Sequence, residues 1–170
     1  EAEIAPGRVF VMGLSKGGMM AYRLACAAPE DIAAIAVVAG TFSTDLCPEG
    51  AAVPLLHIHG SKDENVPLDG GHGRYSSNGA NWPAVARGLD IFKRANRCRD
   101  IPEVTRVTSD TICQSFYGED DAIRVQFCLV EGGGHAWPGA AQNARQEKRG
   151  IYVSPYFDAS RHIARFFRAH

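Results

Sequence analysis

Four stretches of the chain are apolar without alternation. Residues 8–14 (RVFVMGL), 32–39 (IAAIAVVA), 53–59 (VPLLHIH) and 123–130 (IRVQFCLV) each read as a strand buried on both faces. Gly40, Gly60 and the run Gly132, Gly133, Gly134 stop the last three. Between them the apolar period changes to that of a helix. Residues 16–28 place Met20, Leu24 and Ala27 on one face, with Pro29 just beyond the end. Residues 82–95 form a second helix with Pro83 in its first turn. Residues 158–169 form a third, with Asp158 as N-cap and Ile163, Phe166 and Phe167 turned inward. Strands that alternate with helices and lack a polar face predict an α/β fold, with a mostly parallel sheet covered on both sides. Residues 69–81 and 138–149 are rich in small polar residues and predict long irregular loops around the site.

The chain has 170 residues, 45% of them hydrophobic and 22% charged, which fits one globular catalytic domain over 1–170. Eighteen Lys and Arg against nineteen Asp and Glu leave a net charge of −1. That balance offers no basic surface for a phosphate backbone, so nucleic acid is not an expected partner. The longest apolar run, residues 32–40, is too short for a membrane span. Five cysteines, Cys26, Cys47, Cys98, Cys113 and Cys128, leave at least one outside any internal pairing. No C-x-x-C occurs, so neither a zinc knuckle nor a thioredoxin-type site is indicated. Reduced core thiols and one or two disulfides both fit the count.

Gly13-Leu14-Ser15-Lys16-Gly17 fits G-x-S-x-G at a strand-to-helix junction, the setting of a nucleophile elbow. A serine on so tight a turn needs small neighbours, for which Gly13, Gly17 and Gly18 are the candidates. The helix beginning at Lys16 aims its N-terminus at the serine, and the Lys16 backbone N–H is the expected oxyanion donor. The bland alternative is a capping serine on a glycine-rich turn.

A serine hydroxyl needs a base. The chain order Ser, Asp, His is met by Asp63, in the loop after residues 53–59, and His135, in the loop after residues 123–130. Glu64 and Asp69 compete with Asp63 for the acid role. His135, between three glycines and Trp-Pro-Gly, belongs to a loop rather than a core.

The strings GLSKGGMMAYRLACAAPE, AAIAVVAG, HIHGSKDENVP and GGGHAWPG resemble the polyhydroxybutyrate depolymerase and feruloyl esterase family of α/β-hydrolases, over nearly the whole chain. The resemblance implies a secreted or cell-envelope serine esterase without a cofactor. It implies Ser15 as nucleophile, Asp63 as acid and His135 as base. Substrates would be polyhydroxybutyrate-type polyesters or feruloyl or acetyl esters of plant polysaccharide. It also implies a Cys98–Cys113 bridge, with Cys26–Cys47 as a second pair, while Cys128, in a predicted buried strand, is expected to be free. Family members carry further strands, and a loop with the second oxyanion donor, ahead of the elbow strand. The chain is therefore expected to be N-terminally truncated, with one edge of residues 8–14 unpaired and open to self-association. The stretch Gly70 to Gly73 is the first alternative source of a second donor.

Two rivals remain at this level. His57 and His59 form H-x-H and, with Asp63 and His135, would suit a metal-dependent hydrolase. An inactive hydrolase-like fragment would instead bind esters or glycans through Trp82, Trp137 and Phe42. Trp137 and Phe42 are also the substrate-contact candidates of the esterase reading.

Overall fold

The computed structural model describes residues 7–47, 49–76 and 79–170. In chain order the elements are β1 (Val9–Leu14), α1 (Lys16–Ala27), β2 (Ile32–Val38), β3 (Leu55–Gly60), β4 (Gly71–His72), β5 (Asn81–Trp82), α2 (Val85–Ala95), β6 (Glu103–Thr108), β7 (Thr111–Tyr117), β8 (Ile123–Val130), α3 (Ala144–Lys148) and α4 (Ala159–Arg168). Six strands form one sheet in the order β1-β2-β3-β8-β7-β6. β1, β2, β3 and β8 are mutually parallel, and these are the four apolar runs. β7 and β6 extend the sheet antiparallel.

The two faces carry separate cores. Ile35, Val37, Leu55 and Val125 pack against α1 and α2 through Ala21, Tyr22, Ala25, Leu89 and Phe92. Ala34, Ala36, Val38, Leu56 and Ile58 point the other way, to Ile163 and Phe166 of α4. Successive strand residues thus feed opposite cores, which is why the strands show no polar phase. Asp158 caps α4 by accepting from the Arg161 N–H at 2.9 Å.

Several expectations are corrected. The sequence pattern predicts neither β6 nor β7. β6 (EVTRVT) lies at the sheet edge with five of its six residues exposed, so its pattern is that of a solvated strand. β1 is less buried than its apolar sequence predicts: Val9, Met12 and Leu14 are exposed, and β2 is its one sheet partner among the described residues. The second helix starts at Val85, because Trp82 belongs to the β4–β5 hairpin and Ala84 is the N-cap. The stretch 138–149 contains α3, closed by a capping box between Asn143 and Gln146.

The disulfides differ in part from expectation. Cys26–Cys47 is formed and ties the end of α1 to the segment before β3. The other bridge is Cys113–Cys128, not Cys98–Cys113. The antiparallel register of β7 and β8 sets Cys113 directly opposite Cys128. Cys98 is the free thiol; it lies beyond the end of α2, with its sulfur 3.9 Å from the Phe116 carbonyl oxygen. Burial pushes that thiol's pKa up.

Candidate active site

Ser15 joins β1 to α1 at φ 57°, ψ −119°, a conformation that residues with a Cβ rarely adopt. Two backbone bonds hold it there. Its N–H donates to the Val38 carbonyl at 2.8 Å, and its carbonyl accepts from the Met19 N–H at 3.0 Å. The turn is tight because the chain passes close to itself. A Cβ on Gly13 would lie 2.7 Å from the Gly18 nitrogen, and one on Gly18 would lie 2.7 Å from Val37 Cγ1. Gly17 differs from expectation, since a Cβ there would meet nothing within 4 Å. Met19 makes the first intrahelical bond of α1, so the N–H groups of Lys16, Gly17 and Gly18 precede the ladder. The Gly70 N–H is already committed to the Pro67 carbonyl, at 2.9 Å, and Gly71 is paired with Trp82 in the hairpin.

Asp63 and His135 meet. His135 Nδ1 donates to Asp63 Oδ2 at 2.8 Å, and the Asp63 carboxylate is shut off from solvent. Its other oxygen, Oδ1, accepts the N–H groups of Asn65 and Val66 at 2.8 and 2.9 Å. A buried carboxylate with three short donors is fixed in orientation. The two loops are also joined to each other. The Lys62 N–H donates to the Gly133 carbonyl, and the Gly132 N–H to Ser61 Oγ, both at 2.8 Å. With Nδ1 committed to Asp63, His135 is left with Nε2 for chemistry. His135 and Leu14, the residue before Ser15, line the same surface cavity. Of the rival acids, Glu64 pairs with Arg74 at the surface.

Behind Asp63 runs a buried polar chain. Tyr22 Oη and His57 Nδ1 are 2.8 Å apart, His57 Nε2 and His59 Nδ1 are 3.1 Å apart, and His59 Nε2 lies 2.9 Å from the Val66 carbonyl oxygen. A carbonyl carries no proton, so His59 Nε2 must donate. His59 Nδ1 then accepts from His57 Nε2–H, and His57 Nδ1 accepts from the Tyr22 hydroxyl. Burial pushes the pKa of His57 well down, with His59 adding to the effect. Burial also lowers His59, against the pull of the Asp63 carboxylate, whose Oδ2 is 3.7 Å from His59 Nε2. Both rings are neutral and every ring nitrogen has a protein partner, so the H-x-H pair has no lone pair to offer a metal. Cys113, Cys128 and His162 also bring metal-type ligands together, but the two sulfurs are bonded to each other.

The aromatic contact candidates serve packing. Phe42 is 1% exposed and stacks edge-on against Tyr22 and Phe92, so it cannot touch a substrate from that position. Trp137 packs on the core beneath α4 and donates to Ser160 Oγ at 3.0 Å. Trp82 donates to the Asn65 carbonyl at 3.1 Å and so braces the loop that carries Asp63. Among the described residues, no helix is long and apolar enough to cross a membrane.

A mostly parallel sheet with helices on both faces, and a strained serine at the first strand-to-helix turn, define an α/β-hydrolase. The sequence of residues 1–85 matches the phospholipase/carboxylesterase family, and the chain belongs to that family. It is 32% identical over 158 residues to NocK of Nocardia uniformis subsp. tsuyamanensis, which carries the name of an esterase; the match covers 81% of this chain and 44% of that protein. It is 24% identical over 142 residues to feruloyl esterase B of Piromyces equi, covering 80% of this chain and 26% of the relative. A shorter match, 39% over 62 residues, joins it to feruloyl esterase C of Emericella nidulans, covering 36% and 23%. The chain thus spans less than half the length of these relatives.

Proposed function

We propose that this chain carries the triad of a serine carboxylic-ester hydrolase, with Ser15 as nucleophile, His135 as base and Asp63 as the acid that orients it. The observation that carries the reading is the 2.8 Å bond from His135 Nδ1–H to a carboxylate buried in the protein. In this scheme Ser15 Oγ attacks the ester carbonyl as its proton passes to His135 Nε2. The Lys16 N–H faces the developing oxyanion. The ester C–O bond breaks, and the alcohol departs with the proton from His135. Water then attacks the acyl-serine as its proton passes to His135; the bond to Ser15 Oγ breaks, the acid departs, and His135 returns the proton to Ser15 Oγ. Asp63 holds the imidazole tautomer and stabilises the imidazolium throughout. No step requires a cofactor.

Feruloyl or acetyl esters of plant polysaccharide are the first substrate class, and the names of the relatives, feruloyl esterase B and feruloyl esterase C, support its feruloyl part. Polyhydroxybutyrate-type polyesters are the second class. Two disulfides support a secreted or cell-envelope location. The test is labelling by a fluorophosphonate together with hydrolysis of p-nitrophenyl acetate. Labelling at Ser15, and a fall in turnover of more than about a hundredfold in Ser15→Ala, are expected. A variant that keeps its turnover overturns the triad.

A further inference from the structure

The surface cavity beside His135 has a chemistry of its own. It measures about 200 Å³ and is lined by Leu14, Asn65, His135, Arg145, Arg149 and Ile151, with the Asn143 and Gln146 amides and no carboxylate. Both arginines come from α3 and its C-cap, on the stretch that the capping box folds back towards His135. Six of the other twelve arginines, among them Arg74, Arg106 and Arg124, lie against Asp or Glu side chains. Among the described residues, neither Arg145 nor Arg149 has such a partner. Arg145 is exposed. Arg149 is half-buried, with its guanidinium carbon 4.2 Å from the centroid of the Tyr75 ring. That stack limits the freedom of the side chain before anything binds and leaves the edge of the fork open. The local cationic charge does not follow from the chain as a whole, whose net charge is −1.

We infer that Arg149, with Arg145, forms a carboxylate subsite, so that the preferred ester is one whose alcohol half itself carries a carboxylate: a hydroxy acid or a uronic sugar. The inference rests on the triad reading, because it is the departing alcohol that takes its proton from His135 and therefore occupies the cavity that His135 lines. A guanidinium fork binds a carboxylate through two parallel N–H···O bonds, and a neutral alkyl ester in the same place gains neither.

The test is binding, independent of turnover. The full chain is titrated with 3-hydroxybutyrate and with its methyl ester, and in parallel with glucuronate and methyl glucuronate, while the arginine Nε–H resonances are followed. At least one acid is expected to bind roughly tenfold or more tightly than its own ester, the scale of a hydrogen bond to a charged group. That preference should shrink with added salt and vanish in R145Q/R149Q. The acid with the larger preference identifies the hydroxy-acid or the sugar source. Equal affinity within both pairs, or a preference that survives in R145Q/R149Q, overturns the subsite. Failure of the triad would be seen separately, as hydrolysis retained by Ser15→Ala.

Discussion

Gly60 and Gly133 press backbone to backbone at the point where β3 and β8 release the loops of Asp63 and His135. A Cβ on Gly60 would collide with the Gly133 carbonyl and lie 2.8 Å from the Gly134 oxygen. The close approach lets the Lys62 N–H reach the Gly133 carbonyl, so the acid and base loops are fixed to each other before any substrate arrives.

Gly60→Ala should therefore force the two loops apart. The overlap is with main chain, which has little room to give, and a cost of about 1–3 kcal/mol is expected. Thermal denaturation should show a drop of several degrees, accompanied by loss of the slowly exchanging His135 Nδ1 proton. A variant that keeps both would show that the loops are not coupled through this contact.

At the elbow the glycines divide. Gly18→Ala should destabilise, because its Cβ would meet Val37 Cγ1 and the Gly13 carbonyl. Gly17→Ala has open space and should be neutral or gain up to about 1 kcal/mol from helix propensity. Urea denaturation of the two variants side by side checks the order, and the reverse order would contradict the described turn.

Stability should depend on pH through His57 and His59. Burial lowers both in the folded state, so the unfolded chain binds their protons first as pH falls. The unfolded state then holds more protons, and unfolding free energy rises with pH. The stabilisation is complete above the ordinary histidine pKa of about 6.5 and erodes below it, by about 1.4 kcal/mol per pH unit for each histidine. Urea midpoints measured between about pH 5 and 7 should follow this slope. His57→Phe should flatten it, whatever its effect on absolute stability.

The thiols give a fourth outcome. Alkylation of the unreduced protein should modify Cys98 alone. Cys98→Ser should change stability by less than about 1 kcal/mol, since the residue is only partly buried and its sulfur lies a long 3.9 Å from the Phe116 carbonyl oxygen. Paired replacement of Cys113 and Cys128 by serine should cost roughly 2–4 kcal/mol, read from urea midpoints.

Much of the fold was legible because β1, β2, β3 and β8 are rich in apolar residues and each ends at or near a glycine or serine turn, although β8 carries Arg124 and Gln126 on one face. The Asp63 and His135 loops were legible because each follows one of those strands. β6 was not, because at a sheet edge Glu103, Thr105 and Arg106 face water and leave no apolar phase to detect. The Cys113–Cys128 bridge depends on register between two antiparallel strands, which local sequence does not encode. Phe42, an aromatic residue beside the loops and so a candidate substrate contact, instead has its ring between Tyr22 and Phe92. Gly17 fits the motif's pattern but not its steric reason, which falls on Gly13 and Gly18 instead.

The chain from Tyr22 through His57 and His59 to the Val66 carbonyl reads in one direction only. Reversing it would require a proton that a carbonyl cannot supply. It is therefore no wire for protons. It is a permanent dipole frozen into the core, its positive end directed at the loop of Asp63. The protein carries beneath its site a polarisation that is set when the chain folds and does not change as His135 gains and loses its proton.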